Sequence, residues 1–228
     1  GAMMIAYDGT FDGLLTCLYH LVRFDGEPVT IQRESYLRQT LYEYRTIATS
    51  RKKADLCLKA IRNISPAMTA YLYKAWLSEQ ENIETDILHF LRLAAALRKN
   101  PESQLFRSFV ANVMSAAKRC GGEAHRFLGL IRFKQVGENA FLADMRPECH
   151  ILPIICPHFA ARFGARDVLI RDQGRGLAGV IHRGKWQIAA LSEDQLGPVE
   201  ATDGFEALWK QYFQTIAIKA RENPRLQR

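Results

Sequence analysis

The hydrophobic pattern divides the chain into a helical first half and a strand-rich second half. From Ser50 onward, apolar residues recur at spacings of three and four, which predicts a series of amphipathic helices up to about residue 120. Ser65-Pro66 and Asn100-Pro101 are start signals within this series, because a polar cap followed by proline favours a first helical turn. Gly121-Gly122 predicts the end of the last helix in the series.

The N-terminal residues carry a different pattern. The apolar run at residues 4–7 predicts a short strand that turns at Asp8-Gly9 into a helix, with Thr10 as its N-cap. Residues 28–33 predict a second short strand. Gly9 could offer backbone N–H groups to a phosphate, but a tight turn is the favoured interpretation because phosphate loops contain more glycine than this.

After Gly122 the apolar positions alternate, which predicts strands. They are expected at residues 125–133, 140–146, 168–172, 177–182 and 185–191, with helices at 151–163 and 204–220. We therefore predict an α+β protein with a mainly helical lobe at residues 4–120, which includes a short N-terminal strand. A lobe of mostly antiparallel sheet with two packed helices is predicted at residues 121–228. A single integrated domain is the alternative to two lobes.

Composition adds a bias in charge. The chain is 48% hydrophobic and 24% charged, as in ordinary globular proteins, and carries a formal net charge of +7. The basic excess is concentrated after residue 118, a distribution that suits a polyanionic partner. No apolar run approaches the length of a membrane span and no signal peptide is recognisable, so a cytoplasmic protein without membrane contact is expected.

A candidate nucleic-acid surface follows from the predicted strand at residues 125–133. In a strand, Arg126 and Arg132 would project from the same face, and other cations come from elements expected to lie beside it. The candidate residues are Arg126, Arg132, Arg162, Arg175, Arg183 and Lys185, with Trp186 as the residue that would stack on a base. The alternative interpretation is structural: Arg162 would pair with Asp144 or Asp172, His158 would hydrogen-bond a backbone group in the core, and Trp186 would face the core.

Candidates for catalysis are fewer. A hydrolase or lyase acting on nucleic acid would use His125, His158 or Asp172. Asp172 stands at a turn, where aspartate commonly accepts a backbone N–H instead. The chain has no nucleophile elbow, Walker loop or paired-carboxylate signature, which favours a binding protein over an enzyme.

The cysteines do not indicate a metal or cofactor. The five cysteines contain no Cys-x-x-Cys spacing, and their odd number disfavours a disulfide framework. Cys149-His150 and Cys156-Pro157-His158 resemble ligand pairs, but their spacing fits structural zinc sites poorly. We therefore assign no metal site and no cofactor.

Several ordered motifs carry a family resemblance. They are YDGTFDGLLTCLYH, AHRFLGLIRF, LPIICPHFAARF, IRDQGRGLAGV, GKWQI and RENPRLQ. Together they resemble a bacterial family of unknown function assigned to DNA metabolism, and they cover nearly the whole chain.

The resemblance implies a role in DNA processing or repair. Members of the family are encoded beside a radical-SAM protein, and a related domain is fused to some uracil-DNA glycosylases. The chain has no radical-SAM cysteine triad, so any radical chemistry would belong to the partner. The expectation is a DNA-binding accessory protein that serves a radical-SAM partner. The resemblance supplies no catalytic residue.

Overall fold

The structure, a computed structural model, describes residues 1–24, 26, 28–200 and 204–227, and the chain forms two compact units, Gly1–Gly121 and Gly122–Arg228. The elements of the first unit are β1 (Met3–Tyr7), α1 (Phe11–Leu21), β2 (Val29–Arg33), α2 (Glu34–Leu37), β3 (Arg45–Thr46), α3 (Arg51–Ile64), α4 (Pro66–Leu77), α5 (Ile83–Leu97) and the first part of α6 (Ser108–Leu130).

The second unit follows from the last part of α6. Its elements are β4 (Lys134–Gly137), β5 (Ala140–Met145), α7 (Leu152–Phe163), β6 (Asp167–Asp172), β7 (Leu177–His182), β8 (Lys185–Ala190), α8 (Glu193–Leu196), α9 (Phe205–Glu222) and a 3₁₀ helix (Pro224–Gln227). The predicted α+β class is confirmed, since helices dominate the first unit and a five-stranded sheet organises the second.

The first unit packs its helices around a small parallel sheet with the order β2-β1-β3. Thr10 caps α1 as predicted, because its hydroxyl accepts a hydrogen bond from the N–H of Gly13 at 2.9 Å. A buried polar chain links the sheet to the helices: Trp76 Nε1 donates to the Tyr7 hydroxyl at 3.0 Å, and that hydroxyl donates to Glu84 Oε2 at 2.8 Å. Burial raises the pKa of Tyr7 and the pKa of Glu84 above their usual values.

The predicted strand at residues 125–133 is wrong, because α6 continues through Gly121-Gly122 to Leu130. The segment alternates, but Ala124 and Ile131 also lie seven positions apart, a helical spacing that buries both side chains. The carboxylate of Glu123, on the same turn, accepts the N–H groups of Glu148 and Cys149 at 3.0 and 2.8 Å. These contacts stabilise α6 where Gly121 and Gly122 weaken it by ~1 kcal/mol each.

The start of α6 also differs from the prediction at Asn100-Pro101. Residues 101–107 form successive turns, in which the N–H of Gln104 bonds to the carbonyl of Pro101 and the N–H of Arg107 to that of Gln104. Leu105 and Phe106 are exposed on these turns. The continuous helix therefore begins only at Ser108.

The sheet of the second unit has the order β4-β5-β6-β7-β8. Its pairs are antiparallel except β5 with β6, which run parallel because α7 forms the crossover between them. The predicted strands over β6, β7 and β8 and the predicted helices over α7 and α9 are confirmed. The hairpin before them pairs β5 with residues 134–137 and not with the predicted strand at 125–133.

Two helices cover opposite faces of this sheet. α7 packs on the face that carries Gly179, where an added Cβ would lie 2.4 Å from Cys156 Sγ and 3.3 Å from Leu152 Cδ2. On the other face, Leu169, Ala178, Val180 and Ala189 form a core with buried residues of α9, among them Trp209 and Phe213. Within the described part of the chain, no helix is both long and apolar enough to cross a membrane.

The close approach of α7 to the sheet gives a first prediction. Replacing Gly179 with alanine should destabilise the protein by ~1–3 kcal/mol, because the new methyl group overlaps the buried Cys156 sulfur. Gly129→Ala is the matched control: it lies in α6 with open space around its Cα, and alanine there should be neutral or stabilising by up to ~1 kcal/mol. Chemical denaturation of both variants measures the difference, and equal stabilities would show that α7 does not approach β7 so closely.

Candidate functional site

A groove of about 700 Å³ lies in the second unit, between the sheet and α9. The sheet contributes the ends of β6, β7 and β8, and α9 forms the opposite wall. Buried Trp209 and Phe213 line its apolar part, while charged and amide side chains line the rest. The lining residues are Asp167, Val180, His182, Lys185, Trp186, Gln187, Trp209, Lys210, Phe213, Gln214, Ala217 and Arg221.

The turn between β7 and β8 positions two of these residues side by side. Arg183 and Gly184 occupy the turn with φ values of +50° and +73°, both in the left-handed region that tight two-residue hairpins require. His182 and Lys185 are paired across the hairpin immediately before and after the turn. The local backbone therefore brings an imidazole and an ammonium group to the same end of the sheet.

One stripe of α9 supplies the other wall. Lys210, Gln214, Ala217 and Arg221 follow one another at helical spacings of four, three and four, so they share one face. Lys210, Gln214 and Arg221 are exposed, whereas Phe213 and Ile216, on the neighbouring face of the helix, are buried in the core. The helix thus presents cations to solvent along one side and apolar side chains to the sheet along the other.

The groove is electrostatically positive. It contains Lys185, Lys210 and Arg221, and none of the three has a carboxylate within ion-pair distance among the residues that the structure describes. Its one carboxylate, Asp167, is engaged by His182, whose Nδ1 lies 2.5 Å from Asp167 Oδ1. An exposed set of cations with so little local compensation suits a polyanion.

The contact with Asp167 also orients the imidazole ring of His182. A carboxylate that holds the Nδ1 of a histidine orients the ring and leaves Nε2 for another partner. His182 is a site residue that the sequence did not single out.

Trp186 lines the groove and is half-buried. Alternation along β8 places it on the same side of the strand as Ile188, opposite Lys185 and Gln187. Since β8 is the outermost strand in the described sheet, Trp186 stands at the rim of the groove, and its side chain leaves the strand on the sheet face opposite Val180 and Gln187. Both sequence-based interpretations, base stacking and core packing, are compatible with this half-buried position.

Arg171 connects the groove-forming parts of the unit. Its side chain is 1% exposed, and it donates Nε and Nη2 hydrogen bonds to the two carboxylate oxygens of Asp144 at 2.6 and 2.8 Å. Its Nη1 donates to the carbonyls of Gln195 and Gly197 at 3.0 and 2.7 Å and to the Tyr212 hydroxyl of α9 at 3.3 Å. Burial alone would lower the pKa of Arg171, but the bonds to Asp144 and Tyr212 outweigh it and raise the pKa.

Two of the predicted site residues lie in another structural network. Asp172 is fully buried, and its carboxylate accepts the backbone N–H of Arg175 at 3.2 Å and a guanidinium N–H of the same residue at 3.1 Å. The guanidinium of Arg175 also donates to the carbonyls of Pro147 and Glu148. Arg175 therefore closes the turn after β6 onto the loop that precedes α7.

The other predicted residues lie on helices or beside them, outside the groove. His158 and Arg162 are exposed on α7, and the Arg162 guanidinium lies 5.8 Å from the centre of the Phe163 ring. His125 and Arg126 are exposed on α6, and Arg132, just after that helix, donates to the carbonyl of Gly129 at 3.0 Å. The predicted cations therefore do not share one strand face: of the set, Lys185 and Trp186 line the groove, with Arg183 in the adjoining turn.

The cysteines are separate buried thiols. Burial raises the pKa of Cys17 and of Cys57 to about 12 and raises the pKa of Cys156 as well. Such groups stay protonated near neutral pH, and metal binding needs the thiolate. Among the described residues, no three His, Cys, Asp or Glu side chains are grouped as metal ligands.

Sequence reasoning missed six polar residues that line the groove: Asp167, His182, Gln187, Lys210, Gln214 and Arg221. The stripe on α9 could have been detected, because Lys210, Gln214 and Arg221 recur at helical spacing opposite the apolar side of a predicted helix. No local sequence pattern predicts that this stripe lies beside the β7–β8 turn.

Fold and site together define an α+β protein with a basic groove on one face of a mixed five-stranded sheet. A family model described as "Domain of unknown function (DUF4130)" matches residues 81–228, which include the whole second unit, so the chain belongs to this family. No curated protein matches the chain.

The Arg171 contacts give the second prediction. Arg171→Met removes a buried guanidinium from its pair with the exposed Asp144 and leaves two loop carbonyls without their donor, so stability should fall by ~2–4 kcal/mol. Arg126→Met, at an exposed position of α6, should change stability by less than ~0.5 kcal/mol. Denaturant titration compares the two, and a stable Arg171 variant would mean that the 192–197 segment and α9 are held by apolar packing alone.

Proposed function

We propose that the protein is a nucleic-acid-binding accessory factor in DNA metabolism and that it binds through the groove between β7, β8 and α9. The observation that carries the proposal is the grouping of Lys185, Lys210 and Arg221 in one groove with Trp186 at its rim. Cations that contact phosphates, combined with an aromatic side chain for a base, are the usual elements of such interfaces. The resemblance to a DNA-metabolism family supports the same conclusion.

Exposure separates these cations from the arginines that maintain the fold. Arg171 and Arg175 donate several hydrogen bonds to protein acceptors. Release of Arg175 would remove a donor from the buried Asp172 carboxylate, and release of Arg171 would leave two loop carbonyls without their donor. Lys185, Lys210 and Arg221 are exposed and can reach a phosphate without breaking the structure. The groove is therefore the best-supported surface for a polyanion in the second unit.

An enzyme that uses His125, His158 or Asp172 is the alternative, and it has less support. Asp172 is fully buried and bonded to Arg175, while His125 and His158 are exposed on α6 and α7. A general acid or base must reach its substrate, and none of the three lines the groove. The histidine that does line it, His182, is paired with Asp167.

A radical-SAM protein is the proposed partner. The support is the family resemblance, together with the buried and protonated state of thiols such as Cys17 and Cys57. In this proposal the chain contributes DNA contacts, and the partner contributes the chemistry.

The third prediction concerns salt. If the three groove cations contact three phosphates, the logarithm of affinity should fall with the logarithm of salt concentration by ~0.7–0.9 per contact. The triple variant Lys185→Gln, Lys210→Gln and Arg221→Gln should bind DNA more weakly at all sequences and lower that slope by ~2–3. Fluorescence anisotropy over a salt series measures both quantities.

Two control variants make the salt experiment specific. Lys52→Gln with Lys59→Gln removes exposed charge from α3 in the first unit and should leave the slope unchanged. Arg126→Gln with Arg132→Gln tests the surface predicted from the sequence, which stays a prediction although the two residues no longer share a strand. If this pair lowers the slope and the groove variant does not, the contact surface lies around the end of α6.

The fourth prediction concerns the partner. The chain should co-purify at moderate salt with a radical-SAM protein of the kind encoded beside members of the resembled family, and the complex should persist when the groove cations are replaced, because the groove is assigned to DNA. Size-exclusion chromatography with and without DNA tests this. Separate elution under both conditions would contradict the partnership and leave the DNA-binding proposal standing.

A further inference from the structure

The charges in the groove are placed at its ends and are absent from the middle of the α9 wall. Lys210 and Arg221 lie at the two ends of the stripe on α9, about 16 Å apart along the helix axis at 1.5 Å per residue. Between them lie Gln214 and Ala217, one with a neutral amide and the other with a small side chain. A surface built only to attract phosphates would not need this neutral interval.

The sheet side of the groove has matching chemistry. Gln187 on β8 adds a second carboxamide, whereas the Trp186 side chain leaves β8 on the opposite face of the sheet. The part of the groove formed by Trp209 and Phe213 is apolar and buried. A carboxamide has a donor and an acceptor that can pair with the edge of a base, and aromatic side chains such as Trp209 and Phe213 can cover its face.

We infer that the groove accepts an unpaired nucleobase of a single strand, with the flanking phosphates on Lys210 and Arg221. This inference rests on the proposed function, because it names the substrate class for the same site. Gln187 and Gln214 contact the edges of the base, and the apolar part of the groove at Trp209 and Phe213 covers its face. The strand then follows the α9 stripe from one cation to the other.

The volume of the groove and the spacing of its cations favour a single strand over a duplex and over a free mononucleotide. A groove of about 700 Å³ is of the size that holds a small ligand, and a base inside a duplex cannot enter it without leaving its pair. A free mononucleotide carries its phosphate next to one sugar and cannot contact two cations about 16 Å apart. A single strand can place a base at the neutral middle of the groove and phosphates at its two charged ends.

The test uses probes that differ in bases and not in charge. The intact chain is titrated by anisotropy with a single-stranded oligonucleotide, an all-abasic strand of the same length, and the duplex of the first strand. The base-bearing strand should bind about 5- to 100-fold more tightly than the abasic strand, the range expected for loss of stacking. A mononucleotide should compete at least about tenfold less well than the oligonucleotide.

Substitution of the two groove glutamines tests where the base lies within the groove. Gln187→Ala with Gln214→Ala should reduce the difference between the base-bearing and abasic strands without changing the salt slope, because neither residue is charged. Gln211→Ala is the matched control, since Gln211 is also exposed on α9 but does not line the groove. Thermal unfolding of each variant confirms that affinity changes do not reflect unfolding.

The outcomes separate this inference from the proposed function. If the base-bearing strand, the abasic strand and the duplex bind equally and all depend on the groove cations, DNA binding stands and base insertion is overturned. If no probe binds, the proposed function fails and the inference fails with it. If the preference for bases persists in the double glutamine variant, the base contacts another surface, and the groove assignment is overturned.

Discussion

The geometry of the second unit depends on the burial of one guanidinium. Arg171 stands in the middle of the sheet on β6 and is almost inaccessible to solvent, so each of its N–H groups needs a protein acceptor. It finds them on β5, in the 192–197 segment and on α9, through Asp144, the carbonyls of Gln195 and Gly197, and the Tyr212 hydroxyl. Moving α9 away from the sheet would break part of this set. These hydrogen bonds therefore hold α9, which forms one wall of the groove, against the sheet.

The groove shows why a basic composition says little about binding. Arg171 and Arg175 contribute to the net charge of +7, yet their guanidinium groups are occupied by carbonyls and carboxylates of the chain itself. Lys185, Lys210 and Arg221 contribute the same charge per residue but lie exposed around an apolar recess. Whether a cation is available depends on what surrounds its head group, and for these residues that is decided by strand pairing and helix docking.

The quality of the sequence prediction followed the strength of local signals. The strands β6, β7 and β8 were predictable because Gln173-Gly174 and Arg183-Gly184 interrupt clear alternation, and α9 because its apolar stripe is long. Residues 125–133 satisfied both a strand and a helix pattern, and contacts from Glu123 to the distant 148–149 backbone favour the helix. The predicted surface at Arg126 and Arg132 required a strand at 125–133, so in the structure the two side chains do not project from one strand face. Lys185 and Trp186 did not depend on it and do line the groove.

By itself, the sequence determined the α+β class, most element positions, the cap at Thr10, the turn at Arg183-Gly184 and the excess of positive charge in the second half. Each of these features depends on residues within a few positions of one another, so the local sequence is enough to predict it. Only the tertiary structure decided that the end of β7 and the start of β8 face Lys210 and Arg221, and that Arg171 is buried while Lys185 is exposed. The physical reason is that these neighbours are brought together by sheet pairing and by burial of the α9 stripe, and both join residues far apart in the chain.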